Sequence, residues 1–424
     1  MSTAILDITE KNLIKLKDIL LKKEKDYEFI INKEVTELLL DNGFIVDSNF
    51  DEIKWLQCLH NKSRGENNAL SVGIVLTYSC NFRCTYCYEK HINIDMKKNI
   101  LDAVYNFVIN NSKKKKNILI DWFGGEPLLN IKQIQLISYK LIKYCKDKDI
   151  LYRSRISTNG YLLNKENANI LKECCVNETQ ITLDGPPELH DKRRFLTNKN
   201  GTFNIIYKNL LEIKKIIPKI LVRINIDKRN KDSIFLLLEK YLINLKENIT
   251  ISFSYTNSPC KTSIKEKWML TSNEYLQKEK ELGIFADKFG FKVLRGYPYP
   301  CTSFCSAYLK NSFLVDPNGY LHRCSKFLGN EVNRYGKIND NGEIIFNDGI
   351  QKKWDNWSPF DDVECKKCEV LPLCMGGCLL NSTKPKKDNI RCFAKYDLLN
   401  SLLRESLFNE FKPNNKKKGV MYAR

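Results

Sequence analysis

The chain has no apolar run long enough to cross a bilayer, and its start, MSTAILDITEKNLIKLKDIL, lacks the apolar core and small-residue cleavage pattern of an export signal. These absences exclude a helical membrane protein and lead to the expectation of a cytoplasmic location, where thiols stay reduced. Histidine is scarce: His60, His91, His190 and His322 are scattered singly along the chain. There is no HExxH pair, no P-loop lysine motif and no GxSxG elbow. A zincin, a P-loop nucleotidase and an α/β-hydrolase are thereby set aside.

Cysteine, by contrast, is plentiful, with 16 in 424 residues. A chain of this length buries enough surface to need no crosslinks, so dense thiols in a reducing compartment point to metal ligation rather than disulfides. Lysine and arginine number 69 against 50 acids, giving 69 − 50 = +19. That excess is dispersed through a Lys-, Ile- and Asn-rich composition. Its densest runs, Lys113 to Lys116 and Lys416 to Lys418, stand apart from the cysteine motifs. Neither a nucleic-acid nor a membrane partner is therefore expected.

Residues 1–69 read as a small α/β segment, a possible peptide-recognition region. Residues 70–289 alternate short β-branched runs with amphipathic stretches: LSVGIVLTYSC, NILIDWFGGEP, YRSRISTNG, TQITLDG, ILVRINID and ITISFSY, each of the first five followed by a helical pattern. Six such units predict an α/β fold whose parallel sheet, with right-handed crossovers, curls toward a barrel. The distinctive residues fall at the C-terminal ends of the strands, the edge that carries chemistry in barrels of this kind. From 290 the alternation fails and a second cysteine field begins, ending in a predicted closing helix before residue 411. Residues 412–424 read as a basic flexible tail.

CNFRCTYCYE places Cys80, Cys84 and Cys87 in one loop after the first strand. Three thiolates suffice for three irons of a 4Fe-4S cubane and leave the fourth iron for a small molecule, whereas zinc sites pair CxxC with a distant second pair. An incomplete zinc site or three unrelated core cysteines are the alternatives.

This triplet, with Tyr86 before the third cysteine, resembles the signature of the radical S-adenosylmethionine (SAM) superfamily over residues 70–256. The resemblance implies a partial (β/α)6 radical SAM barrel in which Cys80, Cys84 and Cys87 hold a catalytic 4Fe-4S cluster whose open iron binds the methionine moiety of S-adenosylmethionine. It also implies that GGEP, with Gly124, Gly125 and Glu126, meets the cofactor's ammonium, and that Tyr86 lies against the cofactor. Ser157 in ISTNG, and Asp184 and Arg194 in LDGPPELHDKRR, are the implied holders of its ribose or carboxylate. Each of these last three also has a plain reading as a turn cap or surface charge.

The second field opens with Cys301, runs C-x13-G-x4-C from Cys305 to Cys324, then C-x2-C-x5-C-x3-C from Cys365 to Cys378, and closes with Cys392. It resembles the cysteine-rich C-terminal SPASM domain, expected over residues 290–411. The resemblance implies two auxiliary 4Fe-4S clusters, one on Cys301, Cys305, Cys324 and Cys378 and the other on Cys365, Cys368, Cys374 and Cys392. A zinc-ribbon-like module is the alternative. By the same resemblance the chain is expected to be an oxidoreductase-type peptide maturase. It would cleave S-adenosylmethionine to a 5′-deoxyadenosyl radical, abstract hydrogen from a ribosomally made precursor peptide, and form a thioether or carbon-carbon crosslink. A flavodoxin- or ferredoxin-type reductant would supply the electron. Anaerobic sulfatase-maturating enzymes carry an acid after the GxxxxC cysteine, where this chain has Ser325, so formylglycine formation is the second expectation. A non-catalytic Fe-S or zinc protein is the third.

Overall fold

A computed structural model describes residues 37, 40, 41, 46, 47, 49–65, 68–256, 267–294, 302, 303, 305–368 and 370–379. Most of the expected 1–69 segment, Cys301, Cys392, the closing helix and the 412–424 tail lie outside the described residues. From that first segment the structure gives helix α1, Glu52–Gly65.

The expected alternation is present. β1 (Ala69–Val75), β2 (Asn117–Phe123), β3 (Leu151–Thr158), β4 (Val176–Thr182), β5 (Lys219–Ile226) and β6 (Ile249–Tyr255) pair in parallel, each with the next. Between them run α2 (Lys98–Ser112), α3 (Ile131–Asp147), α4 (Lys165–Glu173), α5 (Pro187–Arg193), α6 (Phe203–Ile213) and a helical segment at 234–245. That segment is irregular: the turn at Leu237–Leu242 is a π-helix where a plain amphipathic helix is expected. α7 (Ser272–Lys288) opens with a capping box, Thr271 Oγ1 accepting the Glu274 N–H at 3.2 Å and Glu274 Oε2 accepting the Thr271 N–H at 2.6 Å.

Residue parity decides what each strand face does. Ile118, Ile120 and Trp122 of β2, Ile156 of β3, Val222 and Ile224 of β5 and Ile251 of β6 are buried on the helix-covered face. On the other face stand Asp121, Glu178, Gln180, Arg223 and Ser252, all partly exposed, and Arg155, which is exposed. A closed barrel fills its interior with branched apolar layers. Here the inner face is polar and holds an ion pair, Arg155 Nη2 to Asp121 Oδ2 at 2.8 Å.

Past residue 290 the sheet continues, which the spacing did not predict. β7 (Lys292–Val293) pairs with β6, and β8 (Ser312–Val315) pairs in parallel with β1 on its free side. β9 (Tyr320–His322), β10 (Gly336–Ile338) and β11 (Ile344–Phe346) follow as antiparallel strands. The order is β11-β10-β9-β8-β1-β2-β3-β4-β5-β6-β7, an open sheet with two edges and not a closed barrel. The Phe313 ring of β8 meets Phe107 of α2 edge-on at 5.3 Å, which locks the added strands to the barrel's first helix.

The chain divides into two compact units. The larger holds 62–296 and 305–357, so the first part of the expected C-terminal domain belongs with the barrel. The smaller includes the described residues up to 61, 302–303 and 358–379. Within it Leu56, Phe360, Leu371 and Met375 form an apolar cluster against which Cys365 and Cys368 pack.

Candidate functional site

The cysteine loop leaves β1 and is held from three sides. Its stem closes on itself through Tyr78 N–H to Ile94 O at 3.0 Å and Met96 N–H to Leu76 O at 2.8 Å. Its middle lies like a strand along 193–197, through Arg83 N–H to Phe195 O at 2.8 Å, Thr85 N–H to Arg193 O at 2.9 Å and Thr197 N–H to Asn81 O at 3.0 Å. On the third side the turn after β2 donates Gly125 N–H to Thr77 O at 3.1 Å and Glu126 N–H to Ser79 O at 2.9 Å. The approach leaves no room for side chains. A Cβ on Gly125 would stand 2.1 Å from Ser79 O, and Gly124, at φ +125°, would put one 2.5 Å from Thr77 O.

Burial pushes the Cys80 thiol up to about 12, with Glu126 adding to it. Cys87 is pushed up to about 12, again by burial first. Burial also raises Cys84, against the opposing charge of Arg194. Thiols in this setting ionise against a cation, as metal ligands do. The Phe82 N–H points at Cys80 Sγ from 3.4 Å, a donor suited to a ligand sulfur. Among the described residues no three His, Cys, Asp or Glu side chains converge as a single ion requires. Three thiols on one loop fit a cubane, whose irons occupy separate corners. His91 Nε2 lies 3.4 Å from Cys87 Sγ, so one of the four scattered histidines touches the loop's third sulfur.

Glu126 is fully buried. Its Oε1 accepts the Thr158 hydroxyl at 2.6 Å and the Leu128 N–H at 3.0 Å, and its Oε2 accepts the Asn159 N–H at 2.7 Å. Burial raises its pKa, opposed by these hydrogen bonds. The carboxylate thus ties the turn after β2 to the end of β3, where Asn159 also donates to Asn81 Oδ1 at 2.7 Å. Ser157 lies half-buried one residue before Thr158.

Tyr86, Asp184 and Arg194 come together. The Tyr86 hydroxyl donates to Asp184 Oδ2 and accepts from Arg194 Nη1 at 2.7 Å and Asn225 Nδ2 at 3.1 Å. Asp184 is fully buried, and its Oδ1 accepts the Asn225 N–H at 2.9 Å. Beneath it Arg193 Nη1 bonds Asp227 Oδ2 at 2.5 Å, and its Nε stands 3.6 Å from Asp184 Oδ2. Burial opposes the charge on Arg193, but Asp184 and Asp227 outweigh it and hold its pKa above the ordinary value. His190 accepts the Asp184 N–H at Nδ1, 3.2 Å, and its Nε2 lies 3.1 Å from Thr202 Oγ1, which donates to Arg194 O at 2.6 Å. That chain of bonds makes His190 neutral with its proton on Nε2. Burial, with Arg194 and Arg193, lowers its pKa well below 6.5.

Sequence reasoning missed Thr158, Asn159, His190, Arg193, Asn225, Asp227 and Asn230. The last three stand at the end of β5, the strand edge that had already yielded the first four loops. Asn230 Nδ2 donates to Asp184 O at 2.7 Å and to Asn225 O at 2.8 Å.

Residues 74–240 match the Radical SAM superfamily. The cysteine-type anaerobic sulfatase-maturating enzyme of Clostridium novyi (strain NT) is 27% identical over 345 residues, 74% of this chain and 90% of that protein. Among solved structures, native anSMEcpe with bound AdoMet superposes with a TM-score of 0.64 at 20% identity, covering 81% of this chain and 100% of that one. Streptococcus suis SuiB bound to precursor peptide SuiA gives 0.56 at 15% identity, covering 91% and 93%. Over residues 74–240 the chain is similar to the radical SAM domain, a class whose members hold a 4Fe-4S cluster and S-adenosylmethionine. It is homologous to the anaerobic sulfatase-maturating enzymes.

Proposed function

We propose that this chain is a radical SAM peptide maturase that acts on a ribosomally made precursor peptide and forms a thioether or carbon-carbon crosslink. The observation that carries the proposal is the cysteine loop. Cys80, Cys84 and Cys87 stand at the C-terminal edge of an open barrel, with Tyr86 fastened to the ends of β4 and β5. When bound, the cluster and S-adenosylmethionine supply a 5′-deoxyadenosyl radical. The chain's own part is to hold and orient. Cys80, Cys84 and Cys87 bind the cluster, Gly124 and Gly125 bring bare backbone against the loop, and Glu126 fixes the turn that meets the cofactor. Tyr86, Ser157, Asp184 and Arg194 complete the cofactor's bed, Asp184 by positioning Tyr86 and Arg194.

Peptide substrates are supported by the solved relatives, one of which holds a precursor peptide. The eight cysteines of the second field are the proposed ligands of two auxiliary cubanes, on their resemblance to the SPASM pattern. A net oxidation of the peptide, a flavodoxin- or ferredoxin-type electron donor and a cytoplasmic location belong to the same proposal. Among the described residues no helix is long and apolar enough to cross a membrane. Sulfatase maturation is the second reading, favoured by the homology along 90% of the Clostridium novyi enzyme. Against it stands Ser325, which follows Cys324 where that subgroup carries an acid. A serine with its ordinary pKa is a poor base.

The test is anaerobic reconstitution with iron and sulfide, followed by reductant and S-adenosylmethionine. Three cubanes predict about twelve irons per chain. 5′-Deoxyadenosine should form and should vanish in the C80A/C84A/C87A variant, while C368A and C374A should chiefly lower product formation on peptide. Zinc in place of iron, or a fully iron-loaded protein that leaves S-adenosylmethionine intact, overturns the proposal. A formylglycine product separates the second reading from the first.

A further inference from the structure

We propose that Arg223 is the barrel's anchor for a substrate carboxylate, which makes the preferred peptide one with an Asp or Glu beside the residue that reacts. This rests on the peptide-maturase reading. Arg223 stands on the inner face of β5 and is partly exposed. Its Nε donates to Asn225 Oδ1 at 3.0 Å, and Asn225 in turn donates to the Tyr86 hydroxyl at 3.1 Å. One side chain therefore aims the guanidinium and holds the cysteine loop. The two residues are one pleat apart, about 6.6 Å along the strand.

What separates Arg223 from its neighbours is its free fork. Arg155 is paired with Asp121, Arg193 with Asp184 and Asp227, and Arg229 with Asp227. Arg223 Nη1 and Nη2 have no hydrogen-bond or ion-pair partner among the described residues; its one side-chain bond is through Nε. Hydroxyls surround it. Thr182 of β4 and Ser252 of β6 are its register neighbours, and its charge acts on the phenols of Tyr88, beside Cys87, and Tyr275 of α7. A half-shielded guanidinium with both terminal nitrogens unclaimed suits a bidentate carboxylate. Its placement near the cysteine loop puts that carboxylate close to the reacting end of the barrel.

Two sources offer a carboxylate here, the peptide and the methionine end of S-adenosylmethionine. Arg194, bonded to Tyr86 itself, is the guanidinium already assigned to the cofactor, so Arg223 is left for the peptide.

The test uses the reconstituted holoenzyme and phenylglyoxal, with arginine labelling mapped by mass spectrometry. The probes are end-blocked alanine pentapeptides with a central glutamate or glutamine, at millimolar concentration. Arg223 should label in the unliganded protein and with S-adenosylmethionine alone. Adding the glutamate peptide should slow its labelling, and the glutamine peptide should not. In R223Q the preference for glutamate over glutamine in peptide binding should fall about 10- to 100-fold, the worth of one charge-assisted pair, with affinity for S-adenosylmethionine unchanged. Three results overturn the assignment: protection by S-adenosylmethionine alone, equal behaviour of the two peptides, or no labelling of Arg223 in any state. Labelling does not depend on turnover. A protein that protects Arg223 yet makes no 5′-deoxyadenosine sinks the maturase reading alone.

Discussion

Removing one oxygen, in Tyr86→Phe, tests whether the polar network at the ends of β4 and β5 fixes the cysteine loop. The hydroxyl takes part in three bonds: to Asp184, from Arg194 and from Asn225. Two involve charged partners, worth about 1.5–3 kcal/mol each, and one is neutral, worth about 0.5–1.5 kcal/mol. The sum is an upper bound because the partners keep other contacts. Asp184 retains the Asn225 N–H and the nearby Arg193, and the Arg194 guanidinium still lies 5.7 Å above the Phe82 ring. A loss of about 2–4 kcal/mol is expected. Urea unfolding of the metal-free protein, followed by circular dichroism, reads it without interference from cluster loss. The same variant, once reconstituted, should release its cluster to a chelator faster than wild type. Stability within about 0.5 kcal/mol of wild type, together with unchanged cluster retention, would refute the argument that this hydroxyl secures the loop.

Three further outcomes follow from named contacts. Glu126→Gln puts an amide N–H₂ where a carboxylate oxygen accepted, leaving a buried donor without its acceptor; unfolding should show a loss of about 1–3 kcal/mol, with weaker S-adenosylmethionine binding by calorimetry. His190 has a folded-state pKa well below its ordinary 6.5, so the unfolded chain binds the proton more readily. Its contribution is complete above pH 6.5 and is lost as pH falls below it, and in His190→Asn the urea midpoint should depend less on pH between 7 and about 5. Arg64, 6% exposed, donates to the carbonyls of Tyr308, Trp354, Asp355 and Trp357. Arg64→Met leaves those four carbonyls to find new donors, and unfolding should show a loss of about 3 kcal/mol or more.

The barrel was legible because β-branched or aromatic residues recur along each strand and an apolar stripe along the crossovers, patterns that survive without knowledge of neighbours. The second half of the sheet was not. β8 through β11 are three or four residues long and derive their stability from pairing beside β1 and from the contact of Phe313 with Phe107. Their local signals are two turn runs, NDNG between β10 and β11 and DPNG between β8 and β9. There Asp316 Oδ1 accepts the Asn318 and Tyr320 N–H groups at 2.9 Å each and turns β8 into β9. At the site, Cys80, Cys84, Cys87 and the Gly-Gly-Glu turn announced themselves by residue type and spacing. Asn225, Asp227 and Asn230 did not, since Asn and Asp after a strand are ordinary turn residues until the chain they bond to is known.

The order of residues alone determined that three thiols would crowd one loop at the end of a first parallel strand and that two glycines would follow the second, because spacing and steric permissiveness are local properties. Which acids would be consumed in structural pairing, and which guanidinium would be left open, was decided only in three dimensions. Asp184 lies 98 residues from Tyr86 and 41 from Asn225 along the chain. Charge compensation inside a barrel depends on which strands stand side by side, and that is a property of the assembled sheet.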